Sequence, residues 1–137
     1  FPVMPYPYYA HMDKEDIIAI IAYIRTLKPI KNEVPVSEPE FPMNFILNTI
    51  PQEASFTKRP KKAVNAAYGA YIINAAACAE CHTNVIKGKQ VEGMDFAGGR
   101  EFVIPGPKKI VSANITPDKE TGIGNWTEDA FVSKFSI

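Results

Sequence analysis

Histidine and cysteine are scarce here: the 137-residue chain holds 2 of each. A structural zinc site usually needs four nitrogen or sulfur ligands, and His11 lies far in sequence from the other three candidates. Charge of one sign is missing too. The 15 basic and 15 acidic residues cancel, so no global field draws the chain to nucleic acid or to an anionic membrane. The longest strongly apolar run, Ile17 to Ile24, falls far below the ~20 residues that span a bilayer. Neither a Ser/His/Asp arrangement nor a phosphate-binding glycine loop is visible. No secretory signal peptide is visible. The chain opens on Phe1, so its start is expected to have been processed, trimmed or lost. The remaining composition, 46% hydrophobic with mean hydropathy −0.11, is ordinary for a soluble protein. The length suits one domain or parts of two.

What is present is concentrated in one stretch, Cys78-Ala79-Glu80-Cys81-His82. It reads C-x-x-C-H, the attachment signature of a c-type haem. Two thiols three positions apart at the end of a helix reach the two vinyl groups on one edge of a porphyrin. The next residue, His82, is then held under the iron and supplies the proximal imidazole. A thioredoxin-like redox pair would ask for a βαβ setting. The preceding run, Tyr71 to Ala77, instead looks helical, and no strand–helix–strand pattern surrounds it.

Prolines, 12 in all, cluster in the connecting stretches. Residues 1–12, FPVMPYPYYAHM, are expected to be extended and turn-rich. A helix follows. Asp13 is its N-cap, Glu15 and Asp16 complement its first turn, and Arg25 and Lys28 its last. Ile17, Ile20, Ile21, Ile24 and Leu27 share one face, and Pro29 ends the run. Residues 31–62 read as a Pro-rich wrapping linker. Phe41, Met43, Phe45, Ile46 and Ile50 should lay part of it on a protein surface. Its basic run, Lys58, Arg59, Lys61 and Lys62, is a solvated face or a docking patch for an acidic partner. A second helix is expected from about Ala63 to Ala77. Gly69 costs it about 1 kcal/mol relative to Ala, which makes sense if another helix crosses closely there. Residues 83–125 look like loop, broken by Gly93, Gly98, Gly99, Gly106, Gly122 and Gly124. So long a structured loop needs something to wrap around, and a haem supplies it. Thr127 should cap a last helix, with Glu128 and Asp129 in its first turn. Asp118, Glu120 and Thr121 present oxygens suited to calcium, but a capped turn is the better reading. His11 reads as an exposed loop histidine.

The residues AAACAECHT, then FAGGREF, then SANITPDKETGIGNWTEDAF resemble the first half of a class I-type cytochrome c domain. They are similar to the multi-haem cytochromes related to the cytochrome subunits of membrane-bound alcohol and sugar dehydrogenases. The opening, VMPYPYYAHMDKEDIIAIIAYIRTLKP, resembles the last part of another such domain. The resemblance implies a mainly α fold of cytochrome c-like helices and haem-wrapping loops, with incomplete domains. Residues 1–30 would end a first domain, 31–62 link, and 63–137 begin a second, haem-binding one. Carried over, Cys78 and Cys81 hold haem c, His82 is the proximal ligand, and Trp126 and Asn114 pack against the haem. Met4, in its M-P-Y segment, is the distal ligand, of the first domain's haem in the simplest account. A second arrangement has the 1–28 and 63–137 segments complement each other, with Met4 and His82 on one iron. Met12, Met43 and Met94 read as gap-filling or loop residues, Met94 being a fallback ligand.

The function implied is electron transfer rather than catalysis, from a dehydrogenase or quinol donor toward a terminal oxidase, in a respiratory or dehydrogenase-linked chain. No side chain is then asked to be an acid, base or nucleophile. The enzyme alternative, a haem peroxidase, needs an open distal position. A structural or interaction domain without haem is the third class. Covalent haem attachment occurs outside the cytoplasm, so the resemblance implies a periplasmic or extracytoplasmic membrane-associated location. It also leaves room for a membrane anchor in segments beyond this chain.

Overall fold

The computed structural model describes residues 5–103 and 109–136. The chain divides into two compact units, Phe1–Ala76 and Ala77–Ile137. The helical stretch just before the Cys78–His82 motif therefore groups with the opening segment.

The first unit begins with α1, Tyr6–Tyr9. This corrects the expectation of a purely extended start. Pro7 sits inside the first turn, where its missing N–H leaves no helical bond unmade. Helix α2, Lys14–Thr26, starts as expected, with the Asp13 carboxylate accepting from the Glu15 N–H at 2.9 Å. Its apolar stripe is less buried than its spacing suggests: Ile20, Ile21, Ile24 and Leu27 are all exposed. The Pro-rich connection carries a helix of its own, α3, Met43–Thr49. It also packs back on the opening segment. Tyr6 Oη donates to the Ile50 carbonyl at 2.9 Å, and the Thr57 N–H to Met12 O at 3.3 Å. The backbone N–H of Arg59 donates to Asp13 at 2.8 Å.

Helix α4 runs Ala66–Ala75, shorter at both ends than the expected 63–77. Asn65 caps it, its side-chain oxygen accepting from the Tyr68 N–H at 2.9 Å, and so stops it from extending back to Ala63. Tyr71 on α4 binds two of the three acids that open α2, Asp13 and Asp16. Its hydroxyl accepts from the Asp13 N–H at 3.1 Å and donates to Asp16. Asn74 Nδ2 reaches the Tyr8 carbonyl at 2.9 Å. The close crossing at Gly69 is not found: a Cβ built there meets nothing within 4 Å among the described residues.

The second unit opens with α5, Cys78–His82. The expectation of loop throughout 83–125 needs correction, since two antiparallel ribbons lie there. In the first, β1 (Val85–Ile86) pairs with β2 (Lys89–Gln90), Val85 opposite Gln90. Lys87 and Gly88 both take positive φ, 51° and 79°, the twist that a two-residue hairpin turn requires. In the second, β3 (Glu101–Val103) pairs with β4 (Lys109–Val111), Phe102 opposite Ile110. Strands this short escape recognition by alternation. Helix α6, Glu128–Val132, is capped by Thr127, which accepts from the Ala130 N–H at 3.1 Å, and a 3-10 turn, Ser133–Phe135, follows. Helical residues make up 37% of the described chain beside these small sheets, so the fold is less dominated by helix than expected. Burial is sparse. Among the described residues Met12, Ala77, Thr83 and Gly98 are buried, Thr83 completely.

Candidate functional site

Helix α5 carries the two thiols and the imidazole within five residues. Ala77, at φ 53°, precedes it in the left-handed region, which starts a new helix at Cys78. Both cysteines are unpaired, Cys78 half-buried and Cys81 exposed.

The His82 ring is oriented from a distance. Its Nδ1 lies 2.8 Å from the Ala113 carbonyl oxygen. A carbonyl only accepts, so Nδ1 carries a proton, and in the neutral ring the lone pair is then on Nε2. This is the arrangement in which a metal-binding imidazole has its tautomer and plane fixed and its basicity raised.

So short a helix leaves its last carbonyls needing partners. The Ala79 oxygen takes the Thr83 N–H at 3.0 Å, and the His82 oxygen takes the Gly98 N–H at 2.7 Å. The Glu80 oxygen takes Arg100 Nη1, which also contacts the Glu80 carboxylate at 3.3 Å. Thr83 and Gly98 form a parallel bridge. The buried Thr83 hydroxyl accepts from the Phe96 N–H at 3.1 Å. Phe96 is held at φ 62°, an outlier for a bulky residue, and its carbonyl accepts from Ile115 at 3.0 Å. Gly98 must be glycine. It sits at φ +74°, and a Cβ there would lie 2.5 Å from the Ser112 oxygen and 2.7 Å from the Ala113 oxygen.

Beyond Ala113 the loop is braced by side chains. Asn114 Nδ2 donates to Thr121 Oγ1 at 2.9 Å, while its oxygen accepts from the Thr116 N–H at 2.9 Å and hydroxyl at 2.7 Å. Asp118 accepts from the Thr121 N–H at 2.7 Å, the Thr121 hydroxyl at 2.9 Å and the Glu120 N–H at 3.0 Å. Hydrogen bonds from Thr121, backbone first, hold its carboxyl below the usual 3.8. Asp118 thus caps a turn, and among the described residues no group of three or more His, Cys, Asp or Glu is placed to hold a metal ion.

Cys78, Cys81 and His82 come together, with Asn114 next to the carbonyl that orients His82. Trp126 is tied by its backbone N–H to Ile123 O at 2.9 Å, and Lys134 Nζ stands 5.6 Å over its ring. Met4 lies outside the described residues. Met94 is exposed. His11 Nδ1 lies 2.8 Å from the Ser55 hydroxyl. Arg59, from the basic run, is paired with Asp16. Sequence reasoning missed Ala113, Arg100 and Thr83. Ala113, 31 residues from His82, acts through its backbone and carries no side-chain signal. The Gly98-Gly99 pair was the visible trace of the close approach.

The residues fit a c-type haem: two unpaired thiols on one short helix, and an adjacent imidazole with its protonated nitrogen already engaged. Among the described residues no helix is long and apolar enough to cross a membrane.

No family model matches the chain. Over 94% of its length it is 29% identical to the cytochrome c subunit of a quinone-dependent alcohol dehydrogenase from Komagataeibacter europaeus, covering 30% of that protein. Over 46% of its length it is 44% identical to the gluconate 2-dehydrogenase cytochrome c subunit of Pantoea cypripedii, covering 13% of that protein. A similar match, 47% identical over 64 residues, is to the fructose dehydrogenase cytochrome subunit of Gluconobacter japonicus, 12% of which is covered. The chain thus spans about 30% of the length of the alcohol dehydrogenase subunits it matches, and it is similar to cytochrome c subunits along nearly all of its own.

Proposed function

We propose that this chain carries covalently bound haem c and transfers electrons. One observation carries the reading: two unpaired thiols stand beside an imidazole whose Nδ1 is bonded to the Ala113 carbonyl and whose Nε2 is left as donor. The haem would supply the one-electron chemistry. Cys78 and Cys81 would anchor it by thioethers and His82 would be its proximal ligand. Asn114 would hold the 114–121 loop beside it, and Trp126 would pack near it. Met4 is proposed as a distal ligand, of a haem held by a preceding segment. The domain reading stands with it: residues 1–30 close one cytochrome domain, 31–62 link, and 63–137 open the next.

Similarity to subunits of alcohol, gluconate and fructose dehydrogenases supports a dehydrogenase as redox partner, and the proposed path runs from it or a quinol toward a terminal oxidase. The location that suits covalent haem attachment is periplasmic, or membrane-associated on the extracytoplasmic side.

The test is the intact mass of the natural polypeptide, with the haem spectrum taken after denaturation. Haem that stays with the chain through denaturation, and is lost when both Cys78 and Cys81 are replaced by Ala, is the expected result. A natural polypeptide whose Cys78 and Cys81 carry no haem refutes the reading.

A further inference from the structure

Arg100 occupies an unusual place around the C-x-x-C-H helix. Its side chain donates to the backbone carbonyl of Glu80, in the middle of the motif. Its guanidinium rests 5.7 Å from the centre of the Phe102 ring. Its own backbone is tied to Ser112 twice. The Arg100 N–H donates to Ser112 Oγ at 3.0 Å, and the Ser112 N–H donates to the Arg100 carbonyl at 3.0 Å. Ser112 precedes Ala113, whose carbonyl orients His82. The contacts close a ring: Arg100 to Glu80, along the helix to His82, across to Ala113, back through Ser112 to Arg100.

From this ring we propose that Arg100 is the positioning residue that holds the His82 imidazole against Ala113. Its contacts are with Glu80, Phe102 and Ser112 rather than with the His82 ring, and it acts by fixing both ends of the His82–Ala113 bond at once. The ion pair with Glu80 is a lesser part. Its side chains are 34% and 40% exposed, where such pairs contribute little. The carbonyl bond does more, since it satisfies an orphaned acceptor at the end of a short helix. The inference rests on the haem reading, and it adds a residue outside the motif that sets the donor strength of the proximal ligand.

The experiment uses the haem-loaded protein and a charge-conserving variant, Arg100→Lys. Lysine keeps the positive charge but lacks the planar head that rests over Phe102. The His82 Nδ1–H bond then loosens, the imidazole becomes a weaker donor, and the oxidised iron is less stabilised. The midpoint potential of the haem on Cys78 and Cys81 rises, and the g values of its oxidised form change. A role limited to charge predicts neither, so an unchanged potential and unchanged g values in Arg100→Lys overturn the proposal. If that variant does not accumulate as holoprotein, Ser112→Ala decides by the same criterion, because it removes the Oγ acceptor of the Arg100 N–H, one of the two ties between Arg100 and Ser112, without altering charge. Wild-type protein that carries no covalent haem overturns the haem reading and this inference together. Haem content therefore distinguishes that failure from a failure of Arg100 alone.

Discussion

Replacing Gly98 by alanine tests whether the packing of the 96–100 turn against Ser112 and Ala113 positions His82. Two costs arise. The left-handed backbone at φ +74° disfavours any side chain by about 1–2 kcal/mol. The new Cβ would lie 2.5 Å from the Ser112 oxygen, against ordinary contact from 3.4 Å. The backbone of 112–113 must therefore retreat by roughly 0.9 Å, an overpacking that costs about 1–3 kcal/mol. That backbone includes the oxygen that accepts from His82. Gly88 is the control. It has φ +79°, and a Cβ there meets nothing within 4 Å, so Gly88→Ala bears only the first cost. Urea unfolding of the two haem-loaded variants should separate them by about 1–3 kcal/mol, with the haem spectrum perturbed in Gly98→Ala alone. Equal destabilisation and identical spectra would refute the reasoning.

Three further outcomes are expected. Tyr71→Phe leaves the Asp13 N–H without its side-chain partner and should cost about 1–2 kcal/mol in urea unfolding. Burial, then the bond to Asp16, raises the Tyr71 phenol above its ordinary 10.0, so its contribution is complete below pH 10 and fades as pH rises through the folded value; Tyr71→Phe should lack that alkaline loss. Asp118 titrates below its ordinary 3.8, so the stability it gives is present above 3.8 and disappears as pH falls through the lowered folded value. Melting temperature against pH should show that acid loss in the wild type and a flatter profile in Asp118→Asn. Asn65→Ala removes the cap of α4 and should cost about 1 kcal/mol, with Asn65→Ser close to wild type in thermal melts.

Legibility followed distance along the chain. The caps Asp13 and Thr127 were readable because a cap and its recipient N–H lie two or three residues apart. The motif was readable because its thiols and imidazole are contiguous. The His82 acceptor was not, because Ala113 contributes a carbonyl and any residue has one. Arg100 carried no distinguishing signal in the sequence, because its partner is a backbone oxygen. Helix α3 was hidden by the prolines around it, though Met43-Asn44-Phe45-Ile46-Leu47 between them is an unbroken apolar-rich stretch. The stripe on α2 was read correctly as helical. Its exposure was not legible, since periodicity says which residues share a face and not what covers it.

Among the described residues, the partners that hold His82 from outside its own helix lie downstream of it: Gly98 and Ala113 bind it directly, and Arg100 binds its helix. Chains are made from the amino terminus, so the two thiols emerge before anything that can fold around them. Ala113 follows His82 by 31 residues, an interval of about 2–6 seconds at 5–20 residues per second. During it nothing holds the His82 ring, whereas Cys78 and Cys81, half-buried and exposed in the folded chain, are presented from the start. Residue order thus sets an order of events: the thiols and the imidazole are presented first, and the imidazole is oriented only when the downstream loop arrives.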